Sequence, residues 1–114
     1  MSLDVTAEVL ERATIVRVVG SVDSLTADAL SAALQAHLDE GRSRLVGDLS
    51  GVQYTSSAGL RAILGTLKAS REQGGDLRLA GVPQSVHRIL DLSGFTSILK
   101  LYPDVGAAVD SFAD

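Results

Sequence analysis

Four hydroxyl-bearing residues stand in a row at Tyr54-Thr55-Ser56-Ser57, and Ala58-Gly59-Leu60 follow them. They come after a short apolar strand expected over Leu45–Leu49 and a tight turn expected at Asp48-Leu49-Ser50-Gly51. They lead straight into an amphipathic helix. Small hydroxyl residues therefore sit where the chain passes from strand to helix. A helix start carries unpaired backbone N–H groups and the positive end of the helix dipole. A hydroxyl there caps the helix, and a phosphate placed there is held by the same groups. Ser56 and Ser57 thus have a bland role as caps and a chemical role as phosphate acceptors.

Other chemistries find little support. His37 and His87 each stand alone in a helical segment, with no second His or Cys at ligand spacing, so no metal site is expected. No Gly-x-x-x-x-Gly-Lys-Ser/Thr loop is present to cradle a nucleotide, and no cofactor is expected. Thr55 stands where a Gly-x-Ser-x-Gly elbow around Ser57 would need its first glycine. A triad of Ser57, His87 and Asp23 can be written down, but no spacing supports it. The chain does not read as an enzyme.

The remaining residues read as the scaffold that presents this turn. Leu3, Val5, Ala7 and Val9 alternate with Asp4, Thr6 and Glu8, the period of a strand with one wet face. Glu11-Arg12-Ala13 reads as a hairpin turn. Ile15–Val19 is a β-branched, more central strand that Gly20 ends, followed by a loop over Ser21–Ser24. Ser24 or Thr26 is expected to cap a helix whose face carries Ala29, Leu30, Ala33, Leu34 and Leu38, closed by Gly41. A strand over Arg44–Leu49 contains Gly47, which predicts a close neighbour there. The helix after Ser57 carries Leu60, Ile63, Leu64 and Leu67 on one face, with Arg61, Lys68 and Arg71 elsewhere. Gly65 inside it costs about 1 kcal/mol against Ala and suggests close packing on a sheet. Gly74-Gly75 stops that helix. A strand over Leu77–Ala80, a helix after Pro83 ending near Gly94, a strand over Ile98–Tyr102 and a short helix through Val105–Phe112 complete the chain. The order β-β-α-β-α-β-α-β-α predicts an α/β fold with a mixed, mostly parallel sheet and about four helices.

The composition limits the partners. The 114 residues suffice for one domain, read as 1–114, and folding at this size buries roughly two-thirds of the chain's surface. The net charge of −4 argues against nucleic acid and against an anionic membrane surface. There are no cysteines, which permits a cytoplasmic location and excludes disulfides. No apolar run approaches the ~18 residues of a membrane span. Met1-Ser2-Leu3-Asp4 lacks the basic and apolar regions of a signal peptide.

The stretch Asp48-Leu49-Ser50-Gly51-Val52-Gln53-Tyr54-Thr55-Ser56-Ser57-Ala58-Gly59-Leu60 resembles the signature of the STAS domain, shared by anti-sigma factor antagonists and sulfate transporter tails. Gly20-Ser21-Val22-Asp23 resembles the family's Gly-x-Leu-Asp loop. Gly74–Leu79 and Val86–Phe95 resemble its later strand and third helix. The resemblance spans nearly the whole chain and points to the free-standing antagonists. It implies that Ser57 is phosphorylated by a partner anti-sigma factor that is itself a serine kinase. Ser56 stands where the family commonly has Asp, and Ala58 where it has a second Ser. Ser56 is thereby a competing acceptor and Thr55 a weaker one. The unphosphorylated domain is expected to bind the kinase and free a sigma factor, and a phosphoserine phosphatase is expected to reset it. Asp23, Ser24, Ser56, Ser57, Ala58 and Gly59 are expected at the partner surface. The alternative implied by the same resemblance is a STAS subunit of a transporter or signalling assembly in which Ser57 is only a cap.

Overall fold

The computed structural model describes residues 3–112; Met1 and Ser2, used in the signal-peptide reading, lie outside them. In chain order the elements are β1 (Leu3–Val9), β2 (Thr14–Val22), α1 (Ala27–Asp39), β3 (Arg44–Thr55), α2 (Ser57–Glu72), β4 (Asp76–Ala80), α3 (Gln84–Leu92), a 3-10 turn (Phe95–Ser97), β5 (Lys100–Tyr102) and α4 (Val105–Asp110). The five strands form one sheet in the order β1-β2-β3-β4-β5. β1 runs antiparallel to β2, and every later pair is parallel. The mixed, mostly parallel α/β sheet read from the sequence is therefore the observed one.

Strand alternation divides the core between two faces. Val16, Val18, Leu45, Leu49, Leu77 and Leu79 point to one face, where Leu30, Leu34 and Leu38 of α1 cover them. Leu60, Ile63 and Leu67 of α2, with Val86 and Leu90 of α3, complete that layer. Ile15, Val46 and Ala80 point the other way, against Ala108 and Phe112 at the C-terminal helix. At the start of β4, Asp76 is held between Arg71 (2.9 Å) and Arg78 (3.0 Å), and Arg71 also donates to the Ile98 carbonyl at 2.7 Å. This fixes the far end of α2 to β4 and to the segment that enters β5.

Several local expectations are corrected. Asp48-Leu49-Ser50-Gly51 is not a turn, because β3 continues through it to Thr55. Asp48 does accept bonds from the Ser50 amide (3.1 Å) and hydroxyl (2.8 Å), but within an extended strand. Gly51 marks a close approach instead: a Cβ there would lie 2.9 Å from Val19 Cγ2. Gly20 likewise does not end its strand. β2 runs on to Val22 through irregular pairing with β3 near Gly20 and Ser21. Neither Ser24 nor Thr26 supplies a side-chain cap to α1; Asp23 takes the exposed amides there, as described below. Gly65 faces solvent, and a Cβ there would meet nothing within 4 Å, so packing does not explain it. Ala29 is exposed rather than on the buried face of α1. The last strand is shorter than Ile98–Tyr102, since Phe95–Ser97 winds into a 3-10 turn and pairing begins only at Lys100. Gly47 behaves as expected, its missing Cβ leaving room for Leu79 Cδ2 at 3.0 Å.

Candidate phosphoacceptor and partner-binding site

The site is built where two parallel strands end together. Val22 of β2 pairs with Thr55 of β3. The chain leaves Val22 for α1 and leaves Thr55 for α2, so both strand-to-helix turns lie at one end of the sheet. The Ser56 amide donates to the Val22 carbonyl at 2.7 Å and ties the turns together. Gly59 permits this closeness. It is buried, and a Cβ on it would run into Thr55 Oγ1 and lie 2.7 Å from Val22 Cγ1.

The two serines have different surroundings. Ser56 is the N-cap of α2, extended in backbone (φ −93, ψ 176), and its Oγ accepts the Gly59 amide at 3.3 Å. The Ser56 carbonyl accepts the Leu60 amide at 3.0 Å, the first bond of the helix ladder. Ser57 is the first helical residue and is exposed, and its hydroxyl bonds to none of the described residues. Thr55 is 4% exposed, with its hydroxyl directed at the Ser56 carbonyl at 3.3 Å. Ala58 is half-buried and packs against the main core.

Asp23 shapes the neighbouring turn. Its carboxylate accepts the Leu25 amide at 2.9 Å and the Thr26 amide at 3.0 Å. Those bonds, Thr26 foremost, hold the Asp23 carboxyl below the usual carboxylate range. Thr26 Oγ1 accepts the Asp23 amide and donates to the Ser21 carbonyl, each at 2.9 Å. The result is a stiff turn that leaves Ser24 exposed and Leu25 89% exposed at its tip. On β3, Tyr54 is 52% exposed beside the acceptor segment. Leu25 and Tyr54 were missed as surface residues. The signal for Leu25 was its apolar side chain between Ser24 and Thr26, in a loop with no core to join.

All six residues expected at the partner surface lie in these two joined turns: Asp23, Ser24, Ser56, Ser57, Ala58 and Gly59. The structure gives Asp23 a scaffolding role and Gly59 a buried one. No hydrogen bond joins Ser57, His87 and Asp23, so the residues of the paper triad do not form a relay among the described residues. No cluster of three potential metal ligands occurs among the described residues. No described helix is long and apolar enough to cross a membrane.

Comparison with known proteins places the chain. It belongs to the STAS domain family, whose profile matches residues 4–108. BtrV of Bordetella bronchiseptica, which carries the provisional name of an anti-sigma factor antagonist, is 39% identical over 93 residues, covering 82% of this chain and 80% of its own. The crystal structure of an anti-sigma factor antagonist from Mycobacterium paratuberculosis superposes with a TM-score of 0.90 at 27% identity, over 99% of this chain and 96% of that one. The anti-sigma factor antagonist SpoIIAA shares the fold. Its unphosphorylated form matches at a TM-score of 0.81 and 16% identity, over 95% of both chains. Its phosphorylated form, from Bacillus, matches at 0.74 and 15%, over 95% of this chain and 98% of that one.

Proposed function

We propose that this chain acts as a single domain, residues 1–114, and serves as an anti-sigma factor antagonist switched by phosphorylation of Ser57. It is a cytoplasmic binding protein and a substrate, not a catalyst. Its partners are an anti-sigma factor serine kinase and a phosphoserine phosphatase. The unphosphorylated chain binds the kinase through the joined turns around Asp23, Ser24 and Ser56–Gly59, and so releases a sigma factor.

The observation that carries the reading is the division of labour between adjacent serines. Ser56 is occupied as the cap, whereas the Ser57 hydroxyl is exposed and unbonded. Modification of Ser57 therefore costs the helix no cap. The names of the relatives and the phosphorylated form of SpoIIAA support the same reading. A phosphoserine carries about −1.5 to −2 charges near neutral pH. Burying it unpaired in an interface costs several kcal/mol, and each 1.4 kcal/mol is about tenfold in affinity.

The test is to incubate the chain with the cognate kinase and ATP and to map the phosphate by mass spectrometry. The expected result is label on Ser57 and none in Ser57→Ala. Label on Ser56, with Ser57→Ala modified normally, overturns the assignment.

A further inference from the structure

One charged side chain near the acceptor makes no bond to the described residues. Arg61 lies four residues after Ser57 on α2, and both residues are exposed. Neither its guanidinium nor the Ser57 hydroxyl bonds to any of the described residues. Residues four apart on a helix face each other across one turn, with Cβ atoms about 5–6 Å apart. Helical side chains lean toward the N-terminus, so Arg61 leans toward the turn that carries Ser57. An acid placed four residues before a base is the favourable order for such a pair. The other cations of α2 are unsuited. Arg71 is held by Asp76, and Lys68 is a further two turns along.

We propose that Arg61 is the internal counter-ion of phosphorylated Ser57: free in the unmodified chain, it presents a cation to an acidic partner surface, and phosphorylation captures it. This rests on the phospho-switch reading above and specifies how that switch acts. The chain as a whole has a net charge of −4, yet α2 carries Arg61, Lys68 and Arg71 against Glu72 alone. With Arg71 engaged by Asp76 and Lys68 three turns from the acceptor, the cation that the turn beside Ser57 offers an acidic partner is Arg61. Phosphorylation forms the bond from Ser57 Oγ to phosphorus. It breaks the bond from the γ-phosphorus to the bridging oxygen of a nucleoside triphosphate. The diphosphate leaves, and the hydroxyl proton passes to a base of the kinase. The guanidinium, with its planar fork of donors, then pairs with the phosphate oxygens. The partner loses an attraction and meets a phosphate at the same time.

The test uses the full chain with phosphoserine incorporated genetically at position 57, so no kinase is needed. A phosphorus NMR titration compares this chain with the same chain carrying Arg61→Gln. The pair is expected to lower the phosphate's second pKa by about 0.3 unit or more relative to Arg61→Gln. Equal values overturn the pair. In partner titrations, Arg61→Gln is expected to weaken kinase binding about 3- to 5-fold in the unmodified chain and to have little effect once Ser57 is phosphorylated. Equal losses in both chains overturn the capture. A kinase that binds the unmodified chain no better than the phosphorylated one sinks the switch reading itself, while the NMR comparison still judges the Ser57–Arg61 pair separately.

Discussion

The Ser56 amide and the Val22 carbonyl meet at 2.7 Å, and through that bond the end of β2 holds the start of α2. The contact is possible only because Gly59, one turn into the helix, has no side chain. Gly59→Ala forces a methyl group against Thr55 and Val22. Overpacking of this kind costs about 1–3 kcal/mol. Urea unfolding is expected to show that loss, and partner affinity should fall as the two turns separate. Unchanged stability would mean that the helix start is free to move.

Ser56 and Ser57 should respond differently to Ala. Ser56→Ala removes the acceptor for the Gly59 amide and is expected to cost about 1 kcal/mol. Ser57→Ala removes a hydroxyl that bonds to nothing described, so stability should stay within about 0.5 kcal/mol. Thermal melts of both variants check this. A larger loss for Ser57→Ala would reverse the roles assigned to them.

Ser57→Asp places a carboxylate in the first turn of α2, which favours the fold by about 0.3–1 kcal/mol. The helix end favours the charged form and so lowers the folded pKa of that carboxyl. The gain is therefore full above its unfolded pKa and disappears as pH falls through the folded one. Kinase affinity should move the opposite way and drop about 10-fold or more, since the same charge loses water in the interface. Calorimetric titration decides it: equal affinities for the Asp and Ala variants would refute an electrostatic switch.

Asp23 should contribute to acid sensitivity. Its carboxyl is held below the usual carboxylate range by the Thr26 and Leu25 amides. The charged form is thus favoured by folding. Its stabilisation is present above the unfolded pKa and is lost as pH falls through the depressed one. Asp23→Asn keeps an acceptor oxygen but cannot titrate, so its melting temperature should decline less steeply below about pH 4. Parallel melting curves for the two proteins across that range would show that the turn does not depend on the charge.

Gly65 offers a gain. It is exposed in mid-helix, and a Cβ there would meet nothing within 4 Å. Gly65→Ala is expected to stabilise the protein by about 1 kcal/mol through helix propensity, with partner binding unchanged. A denaturant melt checks the stability. Lost binding despite a firmer fold would place Gly65 in the interface.

Element types and order were legible because side-chain type and periodicity report how a segment is buried: the alternation at Leu3–Val9 marked an edge strand, and the β-branched run at Ile15–Val19 a more central one. The misreadings share a cause. Gly20 was taken as a strand end and Gly51 as part of a turn, whereas both strands run on and Gly51 makes room for Val19 from the adjoining strand, a contact between residues distant in sequence. Gly65 was given a packing partner that does not exist. The joined turns at Asp23 and Ser57 were legible from the topology. The choice between Ser56 and Ser57 as cap was not, because both are good caps and the decision depends on where the backbone turns helical, a matter of one residue.

The Arg71–Asp76–Arg78 cluster gives α2 a second anchor. One end of the helix is tied at Val22; at the other, Arg71 holds both the buried Asp76 carboxylate and the Ile98 carbonyl ahead of β5. A rod clamped at both ends makes a poor piston. A charge added at Ser57 has no sliding or tilting helix through which to report to the far side of the molecule. The message must be read by whatever touches the charge. Partner preference can then be rewritten at the tips of the two turns, at Ser24 and Leu25 for example, while the framework beneath them stays as it is.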